Sequence, residues 1–180
     1  MWMFRQSYRY ILSEAESALD RISEYEVDMA IDMILKGKQI FVYGSGRSGL
    51  VGKFFAMRLV QLGLVSYFVG ETITPIVKKG DCVVLISNTG LTKSTLLAAT
   101  VVKNIGVNII AITSNPKSPL AHRADVVISL NPNNSNTNLA PLGTLFEISS
   151  VILLDSFISE IMKRTGQKEE DLRGRHAIWV

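Results

Sequence analysis

The chain has 180 residues, enough for one domain with a full-sized core. Its hydrophobic fraction of 47% is high for a soluble monomer, so we expect both a sheet covered on its two faces and apolar surface buried between subunits. A net charge of +3, from 19 basic and 16 acidic residues with the basic ones scattered, is too weak a bias to argue for nucleic acid, though it suits an anionic metabolite.

Phe4, Tyr8, Ile11, Ala15, Ala18 and Ile22 recur at steps of four and three, which predicts an amphipathic helix over residues 4–22. Arg5, Arg9, Glu14, Glu16 and Asp20 interrupt any signal-like apolar core there. A second helix carries Val27, Ala30, Ile31, Ile34 and Leu35 on one face and stops at Gly37. These helices pack on the domain core, or do so and also form a subunit interface.

From Lys38 the pattern alternates between strand and helix. Strands are expected at Gln39–Tyr43, Val65–Val69, Cys82–Ile86, Val107–Thr113 and Ala124–Ser129, and helices at Arg47–Leu62 and Leu91–Asn104. Runs of Val, Ile and Leu without alternation mark strands buried on both faces, and the β–α order predicts a doubly wound, five-stranded parallel sheet with ligands at its carboxyl ends. Cys82 is the single cysteine, so one chain can hold neither a disulfide nor a cysteine-based metal site, and a cytoplasmic setting fits.

The polar stretch Asn131–Asn138 reads as a functional loop. A long helix then runs from Pro141 or Leu142 to Arg164, with the proline well placed near its start. Its most apolar segment, Val151–Leu154, is bounded by Glu147, Asp155 and Glu160 and falls far short of a membrane span. We read one domain: helical residues 1–36, an α/β core over 37–164, and a charged tail over 165–180.

Two strands run into Gly/Ser/Thr loops that open helices: Gly44-Ser-Gly-Arg-Ser-Gly49 and Ser87-Asn-Thr-Gly-Leu-Thr92. Aligning Gly44 with Ser87 also aligns Gly63 with Gly106, so the helices that follow have similar lengths. Such loops offer backbone N–H groups, hydroxyls and a helix dipole to an anion. The first loop matches the Gly-x-Gly-x-x-Gly of a dinucleotide site, for which Glu71 is the candidate ribose ligand. Against that reading, Ser45, Arg47 and Ser48 supply hydroxyls and a cation where a dinucleotide needs backbone clearance, and little chain remains for a substrate domain. The second loop holds hydroxyls at its first, third and sixth positions, enough to surround the oxygens of a phosphate monoester. Its plainer reading is a helix cap with a glycine turn.

The second loop resembles the Ser-x-Ser-Gly-x-Thr signature of the sugar isomerase (SIS) family, with Thr89 in place of the second serine. Gly44–Gly49, Pro141-Leu-Gly-Thr-Leu-Phe-Glu147 and the tail Arg175-His-Ala177 look like signatures of its single-domain 6-phospho-3-hexuloisomerase branch. The tail departs from the family after Ala177, reading Ile178-Trp179-Val180. The resemblance implies interconversion of D-arabino-hex-3-ulose 6-phosphate and fructose 6-phosphate, without metal or cofactor, by a homotetramer. It also implies a glutamate base at the start of the last long helix, which corresponds to Glu147.

The residue chemistry agrees. A carbonyl moves between adjacent carbons when one base takes a proton from one carbon and returns it to the next through an enediol; a carboxylate does this if burial raises its pKa. Glu147 lies among Leu145, Phe146 and Ile148, although an acidic residue also simply favours a helix N-terminus. His176 is the candidate acid that moves protons between the enediol oxygens, reaching a neighbouring subunit if the tail acts. Substrate-binding candidates are Ser45, Arg47 and Ser48 in the first loop and Ser87, Asn88, Thr89, Gly90 and Thr92 in the second, with the phosphate against Ser48, Ser87, Thr89 and Thr92. His122 reads as a surface residue, and two histidines so far apart give no metal site. Rival readings are a phosphosugar-sensing domain without catalysis, another phosphosugar isomerase, and a dinucleotide enzyme. The first 36 residues hold no basic recognition helix of the kind a DNA-bound sensor carries.

Overall fold

Five apolar segments pair into one parallel sheet in the computed structural model, which describes residues 2–176. The strands are β1 (Ile40–Gly44), β2 (Ser66–Phe68), β3 (Cys82–Ile86), β4 (Asn108–Thr113) and β5 (Val126–Ser129), in the order β2-β1-β3-β4-β5. The expected doubly wound α/β architecture is therefore present. Ile40, Val42, Val84, Ile86, Ile110 and Ile112 face one side, under the helices α2 (Glu24–Lys36), α3 (Arg47–Gln61) and α5 (Thr144–Thr165). Phe41, Val83, Leu85, Ile109 and Ala111 face the other, under α4 (Lys93–Ile105). β3 is buried along its whole length, as its unbroken apolar run predicts, while edge strand β2 is half-buried.

The helices α3 and α4 both end at left-handed glycines, Gly63 (φ 78°) and Gly106 (φ 79°), so the repeat in the sequence is a repeat in the fold. Gly37 differs: its φ of −66° is open to any residue. Glycine stands there because a Cβ would meet Cys82 Cβ at 2.9 Å. The connection from β2 to β3 holds no helix, and beside it an apolar cavity of about 440 Å³ is lined by Phe41, Val77, Leu97 and Val101 among others.

The first helix, α1 (Met3–Leu19), buries Ala15 and Ala18, while Phe4 and Tyr8 from the same stripe stay exposed. It also holds the long polar loop. Ser7 Oγ donates to the Leu139 carbonyl at 2.7 Å, and Tyr10 Oη donates to the Asn133 carbonyl at 2.9 Å while accepting from Asn136 N–H at 3.1 Å. At the other end of the chain, within the charged tail, a short helix α6 (Glu169–Gly174) follows α5. No helix among the described residues is long and apolar enough to cross a membrane.

Candidate functional site

β1 and β3 are neighbours in the sheet, with Gly44 opposite Ile86, so the two Gly/Ser/Thr loops leave its carboxyl edge side by side. The chain steps from β1 to one edge and returns to build toward the other. Parallel sheets place ligands at this switch point.

In the first loop the glycines serve close packing. A Cβ on Gly44 would lie 2.7 Å from the Ser48 carbonyl oxygen, and one on Gly49 the same distance from the Gly44 carbonyl oxygen. Their absence brings the first turn of α3 onto the end of β1, which delivers Arg47 and Ser48 to the site. Ser45 sits at the exposed bend. Glu71, the ribose candidate of the dinucleotide reading, is instead paired with Lys53 at 2.6 Å.

In the second loop, Ser87 Oγ and Thr92 Oγ1 share a hydrogen bond of 3.1 Å. Thr92 precedes the first residue of α4 and its side chain caps nothing in the helix. The pair is thus free to exchange its mutual bond for bonds to a ligand's oxygens. Thr89 is exposed, and its hydroxyl accepts the Leu91 N–H at 3.2 Å. Gly90 is left-handed (φ 65°), and a Cβ there would fall 2.1 Å from Ser118 Oγ.

The two loops meet at Glu147, in the first turn of α5. Ser48 Oγ donates to Glu147 Oε1 at 3.2 Å, and Arg47 Nη2 lies 3.4 Å from Oε2. The side chain is only 12% exposed, and Oε2 has no hydrogen-bond partner among the described residues. Burial pushes its pKa up; Arg47, Ser48 and its own backbone N–H pull back without cancelling the rise. A carboxyl so placed takes a proton more readily than a free glutamate does.

The helix begins later than expected. Leu142 (φ 48°) and Gly143 (φ 74°) are both left-handed, so α5 starts at Thr144 and Pro141 lies outside it. A leucine at positive φ is a strained exception, and here it aims its carbonyl at Arg47 Nη1, which donates at 2.6 Å. At Gly143 a Cβ would lie 3.2 Å from Glu147 Oε2 and 3.3 Å from Asn88 Nδ2. The bare backbone lets the amide of the second loop and the carboxylate of α5 face one gap.

The structure thus brings together Arg47, Ser48, Asn88 and Glu147, with the Ser87–Thr92 pair in the adjoining loop. His176 is elsewhere in the same chain. It follows α6 and, with Phe54, Arg58 and Asp155, lines a separate cavity of about 570 Å³. Its neighbour Arg175 anchors that turn through a 3.2 Å bond to the Gln61 carbonyl. Ala177 and the divergent Ile178-Trp179-Val180 lie outside the described residues. His122 is exposed, as expected, and among the described residues no three His, Cys, Asp or Glu side chains group to hold a metal ion.

A family model described as SIS domain matches residues 33–154, more than half of the sequence. The chain belongs to the SIS domain family. This SIS chain is 46% identical over 151 residues to a 3-hexulose-6-phosphate isomerase of Methanocaldococcus jannaschii, covering 84% of itself and 82% of that protein. It is 36% identical over 173 residues to a Bacillus subtilis protein of the same name, covering 93% and 94%. Among solved structures it superposes with a TM-score of 0.86 and 41% identity on a hypothetical protein of Methanococcus jannaschii, over 97% of both chains; a 3-hexulose-6-phosphate isomerase function was inferred for that protein. The SIS signature loop is the one that begins at Ser87. The part that Leu142, Gly143 and Ser114 play in the site arises from contacts between residues far apart in sequence.

Proposed function

We propose that this SIS chain is a phosphosugar isomerase that interconverts D-arabino-hex-3-ulose 6-phosphate and fructose 6-phosphate. The observation that carries the reading is one largely buried carboxylate, Glu147, held by Ser48 and Arg47 and facing Asn88. The names borne by relatives similar over most of the chain support the same substrate.

The phosphate dianion is held by Ser87, Thr89 and Thr92 at the start of α4, where the helix dipole adds to the hydroxyls. Anchored by this non-reacting end, the sugar presents C2 and C3 to Glu147. Glu147 removes the proton from C2 of the 3-ketose, giving the 2,3-enediol, and returns it to C3 to leave the 2-ketose. The hydroxyl proton moves from O2 to O3 in the same passage, with His176 of a neighbouring subunit as the candidate carrier. Burial of the carboxylate makes it a better base than an exposed glutamate, and the Arg47 charge works against that rise, favouring the ionised form.

Exposed apolar side chains on α3 (Leu50, Met57, Val60), α4 (Leu97, Val101) and α5 (Ile148, Ile152) suit burial in a homotetramer. A phosphorylated substrate fits a cytoplasmic enzyme, and Cys82, buried with its thiol pushed up to about 12, stays an unreactive core residue.

The test is exchange of fructose 6-phosphate in deuterated water. The wild type should place deuterium at C3 and form the hexulose. Glu147→Gln should bind the sugar phosphate yet lose about 10²–10⁴ in rate. Wild-type turnover in that variant rejects the base; no exchange by the wild type rejects the isomerase.

A further inference from the structure

Asn88 belongs to the signature loop, and the sequence places it with the phosphate ligands. Its side chain is instead bonded to Ser114. Ser114, at the end of β4, puts its Oγ 2.7 Å from Asn88 Oδ1 and 2.8 Å from the Asn88 carbonyl oxygen. A serine hydroxyl carries one proton, so only one of these contacts can be a full donation. The carbonyl already accepts the Ser114 N–H at 2.9 Å and the Thr113 hydroxyl at 3.0 Å, which occupy its two lone pairs. The Ser114 proton therefore goes to Oδ1, and that fixes the orientation of the amide. Oδ1 faces Ser114, and Nδ2 faces the gap at Gly143, beside Glu147 Oε2. Nδ2 donates to no acceptor among the described residues, so both of its N–H bonds are open to a ligand.

We propose that Asn88 serves the reacting carbons rather than the phosphate, with Nδ2 donating to the oxygen that becomes negative as Glu147 removes the proton, and that Ser114 is the positioning residue that holds it there. The inference rests on the isomerase reading and on Glu147 as its base. It supplies what that reading lacks within the chain, a neutral donor aimed at the enediolate. A donor of this kind acts mainly in the transition state, because the oxygen it meets gains charge only there. It also explains why the space at residue 143 must stay empty: a side chain there would press on the donor and the base together.

The test uses the full chain and three readouts: turnover at saturating substrate, affinity for fructose 6-phosphate, and affinity for a hydroxamate analogue of the enediolate bearing the same phosphate. Asn88→Ala should lower kcat by about 10²–10³-fold, the loss typical of an oxyanion donor. It should weaken the hydroxamate by a similar factor and leave fructose 6-phosphate affinity within about threefold, the donation being confined to the transition state. Ser114→Ala should lower kcat by about tenfold, as expected where a donor stays present but loses its support, and Ser114→Thr, which keeps the hydroxyl, should restore it. A variant that weakened fructose 6-phosphate binding while keeping kcat would return Asn88 to the phosphate and overturn the proposal. So would equal loss in Ser114→Ala and Ser114→Thr. A wild type inactive in the exchange assay fails the isomerase reading itself, and an active wild type with unaffected Asn88 variants fails only this inference.

Discussion

The two Gly/Ser/Thr loops follow equivalent strands and open equivalent helices, yet they divide the work differently. In the loop over 44–49 the glycines at both ends are packing devices, each excluding a Cβ that would strike backbone at 2.7 Å. The chemistry there is carried by the helix it delivers, through Arg47 and Ser48, and it is directed at Glu147. In the loop over 87–92 the single glycine makes room for Ser118, and the hydroxyls of Ser87 and Thr92 hold each other, ready for exchange with a ligand. One sequence pattern thus yields a loop whose helix contacts Glu147 and a loop whose hydroxyls pair with each other, the divided roles of base and anion site that we propose. The dinucleotide-like match in the first is a by-product of tight strand–helix packing.

The sharpest way to break this comparison is through the glycines. Gly90→Ala should cost roughly 3 kcal/mol or more, combining left-handed strain with overlap of a buried neighbour. Thermal melting measures it, and an unchanged midpoint would show that the Ser118 contact is not what demands glycine. Gly44→Ala would meet the Ser48 carbonyl oxygen at 2.7 Å rather than the 2.1 Å found at Gly90, and at an ordinary φ, so its cost should be smaller.

Next in size is the phosphate. Ser87→Ala should weaken fructose 6-phosphate binding by about tenfold or more, the value of a hydrogen bond to a charged group. Turnover by that variant should fall as well, because the anchored end orients the reacting carbons. Unchanged affinity in titration calorimetry would move the phosphate away from the second loop.

The smallest expected effect is a shift in pH dependence. If Glu147 is the base, it works as the carboxylate, and burial raises its pKa, so activity should fall as pH drops through that raised value rather than through the ordinary glutamate range. Arg47 pulls that pKa down. Arg47→Ala should therefore move the acidic limb of kcat/KM to higher pH. A limb that stays in place would mean Arg47 does not act on the base.

Much of the fold was legible because its signals are local. The run Cys82–Ile86 has the bounds of β3, and the strand–loop–helix repeat appears intact, down to the left-handed glycines that end α3 and α4. That Glu147 stands near the start of the last long helix among apolar neighbours was legible as well. What escaped depends on distance in sequence or on backbone conformation. Nothing local shows that Leu142, a residue averse to positive φ, turns left-handed, nor that its carbonyl holds an arginine 95 positions away. Ser114 is an ordinary residue at a strand end until β4 lies beside β3, and Gly37 looks like a helix stop until Cys82 is found against it. The short helix α6 is charged and carries only Leu172 inward, too little periodicity to stand out in the tail.

The polar loop that leads into α5 is held by α1, through Ser7 and Tyr10, although α1 lies outside the span that defines the family. Ordering a backbone residue costs about 1–2 kcal/mol in conformational entropy, and this restraint meets that cost during folding. A shortened chain beginning after α1 would keep every residue of the site, but the loop behind Leu142 would have to be ordered anew each time substrate bound. Its loss would register as a less favourable binding entropy, with the contacts to the sugar phosphate themselves unaltered.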